Sequence, residues 1–299
     1  GTLSGACDRM WLGVEVWGND DISQNPVDQG WVEVINGGTI ENAVIGITTC
    51  LMEEDGSDNL IPNLDYTGGI IETEDAFFIN NETAIKFYPY SFNSMSNFKN
   101  TEFISDEGYL GISYPKNFID ITEMNRVLFI SCDFKNEMGP ANYQHGIYST
   151  NSYIIVKGIC LEGDPCTSWD NGLFENLQKG IYATGTTRYI DVSNTNFFNN
   201  YRAIYISGMT NAVVTDNSFE INYPYGPLGG YGLYLSNSTG YTIEDNNFYH
   251  DEGEPTGLGL VVHNSGIYSN EIYRNFFTKL KLGISCQEQN RGTTEPVQG

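Results

Sequence analysis

The sequence predicts an all-β solenoid, a single parallel β-helix of about ten coils. Ten times in its 299 residues a Gly or Ala precedes an aliphatic residue that opens a short apolar run. The pairs are Gly13-Val14, Gly46-Ile47, Ala84-Ile85, Gly111-Ile112, Gly146-Ile147, Gly180-Ile181, Ala203-Ile204, Gly232-Leu233, Gly259-Leu260 and Gly283-Ile284. Their mean period is about 30 residues, the range of a repeat that stacks on itself. No stretch holds an apolar spacing of three and four over a dozen residues, so helices do not connect the strands.

A second landmark lies between successive pairs: an apolar residue, four mostly small polar ones, then Phe or Ile. It reads Phe129-Ile-Ser-Cys-Asp-Phe134, Val192-Ser-Asn-Thr-Asn-Phe197, Val214-Thr-Asp-Asn-Ser-Phe219, Ile243-Glu-Asp-Asn-Asn-Phe248 and Ile267-Tyr-Ser-Asn-Glu-Ile272. Alternation of period two, bounded by Asn, Gly, Ser and Asp, marks strands. Strands recurring without crossover helices must stack, each pairing with the next at about 4.8 Å. Asn suits the corners because it tolerates the left-handed backbone and its amides can ladder along the axis. Asn194, Asn217 and Asn246 fall in consecutive corners.

The tandem G-I-Y, polar corner and N-x-F pattern resembles right-handed parallel β-helix repeat proteins, the pectate-lyase-like superfamily that includes periplasmic copper-maturation-type helices. The opening Cys7-Asp-Arg-Met-Trp-Leu-Gly-Val-Glu-Val-Trp-Gly-Asn19, followed by Gly38-Thr-Ile-Glu-Asn-Ala43, resembles β-helix modules of large exported surface proteins of gram-negative bacteria. The resemblance implies a single-stranded right-handed β-helix. It leaves activity open, because that scaffold carries lyases, hydrolases, epimerases, adhesins and inert stalks.

A formal charge of −24, from 38 acids against 14 bases, argues against nucleic acid or an anionic membrane surface as partner. The same excess repels a polyuronic acid unless metal ions intervene. No apolar segment approaches 18 residues, so no membrane span is expected. The chain opens inside a repeat at Gly1 with no signal peptide, and 287–299 lacks the repeat. The expectation is a β-helix over 1–286, a linker over 287–299, and a longer exported polypeptide around both. Cys160 and Cys166 flank Leu-Glu-Gly-Asp-Pro and suit a disulfide in an oxidising environment, whereas Cys7, Cys50, Cys132 and Cys286 read as small buried apolar residues.

Because coils bury their inward residues on one another, chemistry falls to outward side chains and corner loops. Alternation sends the Ile of G-I-Y inward and the next residue outward, placing Tyr148, Tyr182, Tyr205 and Tyr234 in one outward column. Glu15, Thr48, Lys86 and Ser113 take that position in earlier coils, Val261 and Ser285 in later ones. Two readings stand side by side. Such a column holds sugar rings through its aromatic faces and hydroxyls, or it is a stacked aromatic ladder that stabilises the sheet. Long connections at 134–146, 219–232 and 248–259 should emerge at the corner beside the column. They carry Tyr143 and His145, Tyr223, Tyr225 and Tyr231, and His250, Asp251, Glu252 and Glu254.

Asp251, Glu252 and His250 are the candidates for catalysis, although glycoside hydrolysis needs two carboxyls facing each other across the bond. No Asp trio resembles the polygalacturonases, and no Lys or Arg arrangement resembles the lyases. Asp216 and Asp245 share a corner position in adjacent coils and form the candidate metal site. No resident cofactor is expected, with calcium the one metal the acidic corners and the loop Glu53–Asp58 would suit. The expected function is a non-catalytic secreted or cell-surface module, structural or adhesive, holding polysaccharide or another surface protein. A carbohydrate-active enzyme and a plain spacer or filament subunit are the alternatives.

Overall fold

Three parallel sheets of ten, nine and ten strands carry almost all of the regular structure. In the computed structural model, residues 1–6, 8–56, 59–139, 144–186, 188–223, 229–266 and 270–290 are described. One coil shows the winding. His145–Thr150 lies in the first sheet, Ile154–Lys157 in the second and Gly172–Glu175 in the third, and Lys179–Thr184 then returns to the first beside His145–Thr150. The chain is a right-handed parallel β-helix. Among the described residues there is no helix.

The core is a set of vertical ladders set by strand register. In the first sheet Ile85, Ile119, Ile147, Ile181 and Ile204 pair in succession and are fully buried. In the third sheet Phe78, Phe103, Phe134, Phe174, Phe197, Phe219, Phe248 and Phe277 stack at 4.4 to 5.1 Å between centroids. Each stacked pair is worth about 0.5–1.5 kcal/mol beyond the burial of its rings.

This ladder explains the glycine of the repeat. A Cβ on Gly146 would stand 2.7 Å from the Phe174 ring, and one on Gly232 would stand 2.6 Å from that of Phe248. The small residue makes room for the phenylalanine. One coil solves the problem differently. Gly111-Ile112 does not begin a strand, and Ile112 is fully exposed. The strand is Asn117–Thr122, where Ile119 holds the inward position and Phe118 fills the glycine slot, tilted against Phe103 and Phe134. Asp120, not Ser113, therefore occupies the outward column in that coil. Likewise the last polar landmark is shifted: Ile272 pairs with Ile243 and Phe277 with Phe248. The apolar-to-Phe step of that coil thus runs from 272 to 277.

The corner between the second and third sheets uses two consecutive residues for separate tasks. The first adopts the left-handed backbone: Asn194, Asp216, Asp245 and Arg274 have φ of 48° to 57°. The second turns inward and ladders. Asn217 Nδ2 donates to the carbonyl of Val192 at 2.9 Å and to Asn246 Oδ1 at 3.0 Å. Its Oδ1 accepts the N–H of Thr195 at 3.1 Å. Asn246 repeats the pattern against Val214 and Asn275. Asn194 thus belongs to the turn set, while Asn217 and Asn246 belong to the ladder.

Two antiparallel hairpins interrupt the coils. Cys50–Glu54 pairs with Leu60–Thr67, and Ile159–Glu162 with Ser168–Asp170. The second is closed by a disulfide between Cys160 and Cys166. Cys50 and Cys132 are buried, whereas Cys286 is exposed, contrary to the expectation that it packs inward. Cys7 lies outside the described residues.

Candidate functional site

Register brings the tyrosines together. Tyr148, Tyr182, Tyr205 and Tyr234 are consecutive partners in the first sheet. Their rings stack at 4.9, 5.1 and 5.4 Å with interplanar angles of 19°, 8° and 30°. Each neighbour covers a ring face, so the column presents ring edges and phenol oxygens to the outside. Burial, with the neighbouring phenols of Tyr148 and Tyr205, holds the Tyr182 hydroxyl above its ordinary pKa. The Tyr182 phenol therefore stays neutral at physiological pH.

A second outward column runs beside it, three residues earlier in each strand: His145, Lys179, Arg202 and Tyr231 pair in that order. Lys179 Nζ sits 4.1 Å from the Tyr182 centroid, and the Arg202 guanidinium lies 5.4 Å from Tyr201 and 5.5 Å from Tyr231. Desolvation and then the charge of Arg202 push Lys179 below its ordinary pKa. The His145 ring lies nearly parallel to Tyr148 and Tyr182, and burial, helped by Lys179, pushes it down to about 3. His145 is therefore a neutral ring at pH 7. A third outward column supplies hydroxyls from Thr150, Thr184 and Ser207, ending at the buried Ser236.

The face has ends. Asp120 follows Tyr148 in the tyrosine column, with Lys86 beyond it. At the other end Leu258 and Val261 continue the two columns, yet both are buried and cluster with Tyr231, Tyr205 and Tyr234. The open strip runs from His145 and Tyr148 to Arg202 and Tyr205. The spacing that reveals the basic column was present in the sequence as H-G-I-Y, K-G-I-Y and R-A-I-Y. Reading only the residue after the isoleucine left it out.

The other expected site residues separate. Tyr143 and Tyr225 lie outside the described residues. His250 Nδ1 is 2.9 Å from Asn222 Oδ1, and Asp251, Glu252 and Glu254 are exposed on the following turn. Lys279 Nζ donates to the backbone carbonyl of Asp251 at 2.7 Å. Asp216 and Asp245 do occupy adjacent corners, but the cation there is a protein side chain. Arg274 Nη2 donates to Asp245 Oδ2 at 2.5 Å and to Glu244 Oε1 at 2.8 Å. Burial, with the charges of Asp245 and Glu244, raises Asp216 above the usual carboxylate range.

The comparisons with known proteins bear on this architecture. Residues 100–292 match the model of the family described as "Periplasmic copper-binding protein (NosD)". The chain belongs to the NosD family. No curated protein sequence matches it significantly. Among solved structures, it is similar to a crystal structure of PfbA, a surface adhesin of Streptococcus pneumoniae. Identity is 12%, with 86% of this chain and 81% of that one covered at a TM-score of 0.38. A second structure of the same S. pneumoniae surface protein and adhesin covers 88% and 92% at 12% identity and a TM-score of 0.33. The periplasmic family agrees with the secreted or cell-surface location expected from the sequence. No helix among the described residues is long and apolar enough to cross a membrane.

Family membership corrects the metal expectation, which was no cofactor or else calcium: the metal that the NosD family's description names is copper. Copper favours thiolate, thioether and imidazole donors held close together. Among the described residues no group of three or more His, Cys, Asp or Glu converges. Burial drives the Cys50 thiol up to about 11 and that of Cys132 up to about 12, the protonated form that does not ligate. His145 is largely buried beside Tyr148 and Tyr182, its ring nearly parallel to theirs, and His250 is engaged with Asn222. The described residues do not fit a copper centre.

Proposed function

We propose that this chain is a non-catalytic β-helix module of the cell surface or periplasm, structural and adhesive, that holds polysaccharide along its tyrosine face. In this reading residues 1–286 form the module. The observation that carries this reading is the alignment of three outward columns on one sheet: neutral and basic side chains, phenols, and aliphatic hydroxyls. Together they make a straight polar strip whose groups recur at every rung, about 4.8 Å apart. A polymer of repeating hydroxylated units is a ligand that such a strip can meet many times over, and many weak contacts in series sum to useful affinity.

Stacked rings and bound sugar are compatible. The tyrosines stabilise the sheet through their faces and offer their edges and oxygens to the ligand. The exposed turn at 251–254 supports no facing pair of carboxyls, so hydrolysis gains nothing from this geometry. Glycan-array binding tests the proposal. Binding should be lost in the double variant Tyr205→Ala, Tyr234→Ala while the melting transition survives. Absence of binding to every glycan would overturn the polysaccharide reading and leave other surface proteins as the adhesive partner.

A further inference from the structure

On four successive rungs of the first sheet, those of Asp120, Tyr148, Tyr182 and Tyr205, every outward residue keeps part of its surface open. The rungs on either side are closed, but not equally. Beyond Asp120 the outward residues Thr83 and Tyr88 are buried, while Lys86 between them stays partly open. Beyond Tyr205 the outward Tyr231 and Ser236 are buried on either side of Tyr234, and on the next rung Leu258 and Val261 are buried as well. The chain folds closely over that end. The Leu258 N–H donates to the Gly230 carbonyl at 3.2 Å, and a Cβ on Gly257 would stand 2.3 Å from Ile221 Cγ2. The strip is therefore a trough, blind beyond Tyr234 and open past Lys86.

Two of its columns repeat one chemistry from rung to rung. Tyr148, Tyr182 and Tyr205 repeat the phenol, and Thr150, Thr184 and Ser207 repeat the aliphatic hydroxyl. A ligand crossing the strip meets each kind of group once, whereas a ligand lying along the helix axis meets both again at every rung, about 4.8 Å apart. A pyranose unit in an extended chain advances by nearly one rung. The four open rungs cover about 14 Å from first to last, room for a short run of such units. At Val261 the outward surface is covered, so a chain lying along the trough has to stop there. We infer that the trough receives the free end of a polysaccharide chain laid along the helix axis, about one sugar unit to a rung over four rungs, with the rest of the polymer leaving past Lys86. This inference rests on the polysaccharide reading above and adds which part of the polymer is held and in which direction it runs.

Oligosaccharide length tests the inference with the full chain. Cello-, malto-, xylo- and chito-oligomers from dimer to octamer, joined by any series that the glycan array adds, are titrated by calorimetry. Affinity should rise by about three- to tenfold with each unit up to about four, the gain of roughly one net hydrogen bond per rung, and then level off. At equal polymer mass, binding capacity should fall in proportion as size-fractionated chains of the same series lengthen, because only their ends are held. Tyr148→Ala should weaken a tetramer by a like factor and spare a dimer, which keeps the rungs of Tyr182 and Tyr205; Phe198→Ala on another sheet should change neither. The length series on the unaltered chain decides the matter even where a variant loses its fold. Capacity that does not change with chain length at equal mass, affinity that still climbs at the octamer, or a dimer that binds as tightly as a tetramer overturns the inference and leaves the polysaccharide reading standing. If no saccharide binds in the titrations or on the array, both fall.

Discussion

Replacing Phe134 by Ala removes one ring from the middle of the phenylalanine ladder, and the structure sets the size of the loss. The ring is fully buried and nearly parallel to Phe103 at 4.7 Å and Phe174 at 4.4 Å. Phe118 and Phe129 close in at 6.1 Å. Truncating a buried Phe to Ala costs about 3–5 kcal/mol, because the lost burial is compounded by the cavity left behind. Two stacked pairs contribute about 0.5–1.5 kcal/mol each. The strand carrying Phe134 is pinned on both sides by Glu102–Ser105 and Gly172–Glu175, which resists collapse into the hole. The expected loss is therefore about 5 kcal/mol, read from the urea midpoint at constant slope. Phe198→Ala is the internal control: it lies on the same sheet but points outward with 40% of its surface exposed. It should cost no more than about 1 kcal/mol. Equal losses for the two variants, or less than about 2 kcal/mol for Phe134→Ala, would refute the ladder as the source of core stability.

Three further outcomes follow from the same geometry. Asn217→Ala strips two donated bonds and one accepted bond from a buried corner, leaving the Val192 carbonyl and Thr195 N–H without partners. A loss of about 2–4 kcal/mol in denaturant unfolding is expected, whereas Asp216→Asn one residue earlier should be nearly neutral. His145 has a folded pKa of about 3 against 6.5 for the free side chain, so the unfolded chain binds the extra proton between those values. Its contribution is present above pH 6.5 and lost as pH falls; between pH 6 and 4, His145→Gln should remove a slope of up to about 1.4 kcal/mol per pH unit from the stability profile. Reducing the Cys160–Cys166 disulfide should leave the main melting transition in place, because the hairpin stands outside the coils, while protease cleavage within 161–167 accelerates.

The fold was legible because the stacking requirement writes itself into the sequence at a fixed interval. Gly146, Gly180 and Gly232 recur because the Phe174, Phe197 and Phe248 rings need their space. Gly111 misled because the same dipeptide also occurs in an exposed turn, and because Phe118 shows that the slot accepts a tilted ring. The tyrosine column could be read from alternation alone. The neighbouring column of His145, Lys179 and Arg202 was also written in the sequence, but that it runs beside the tyrosines depends on the strand register, which is a property of packing. Asp216 and Asp245 show the converse. Their spacing placed two carboxylates together, but only the structure reveals Arg274 one rung above, already paired with Asp245.

Identical register from rung to rung has a further consequence for the length of the outer strip. Ala183 and Ile206 occupy equivalent places in adjacent strands, as do Tyr182 and Tyr205. Excising 183–205 would join Tyr182 to Ile206 and rebuild a continuous strand with one rung fewer, and with one cation where there are two. Duplicating the same segment would add a rung, a phenol and a guanidinium. Reach and charge on this surface are thus adjustable by whole-cassette gain or loss, with no redesign of the interior.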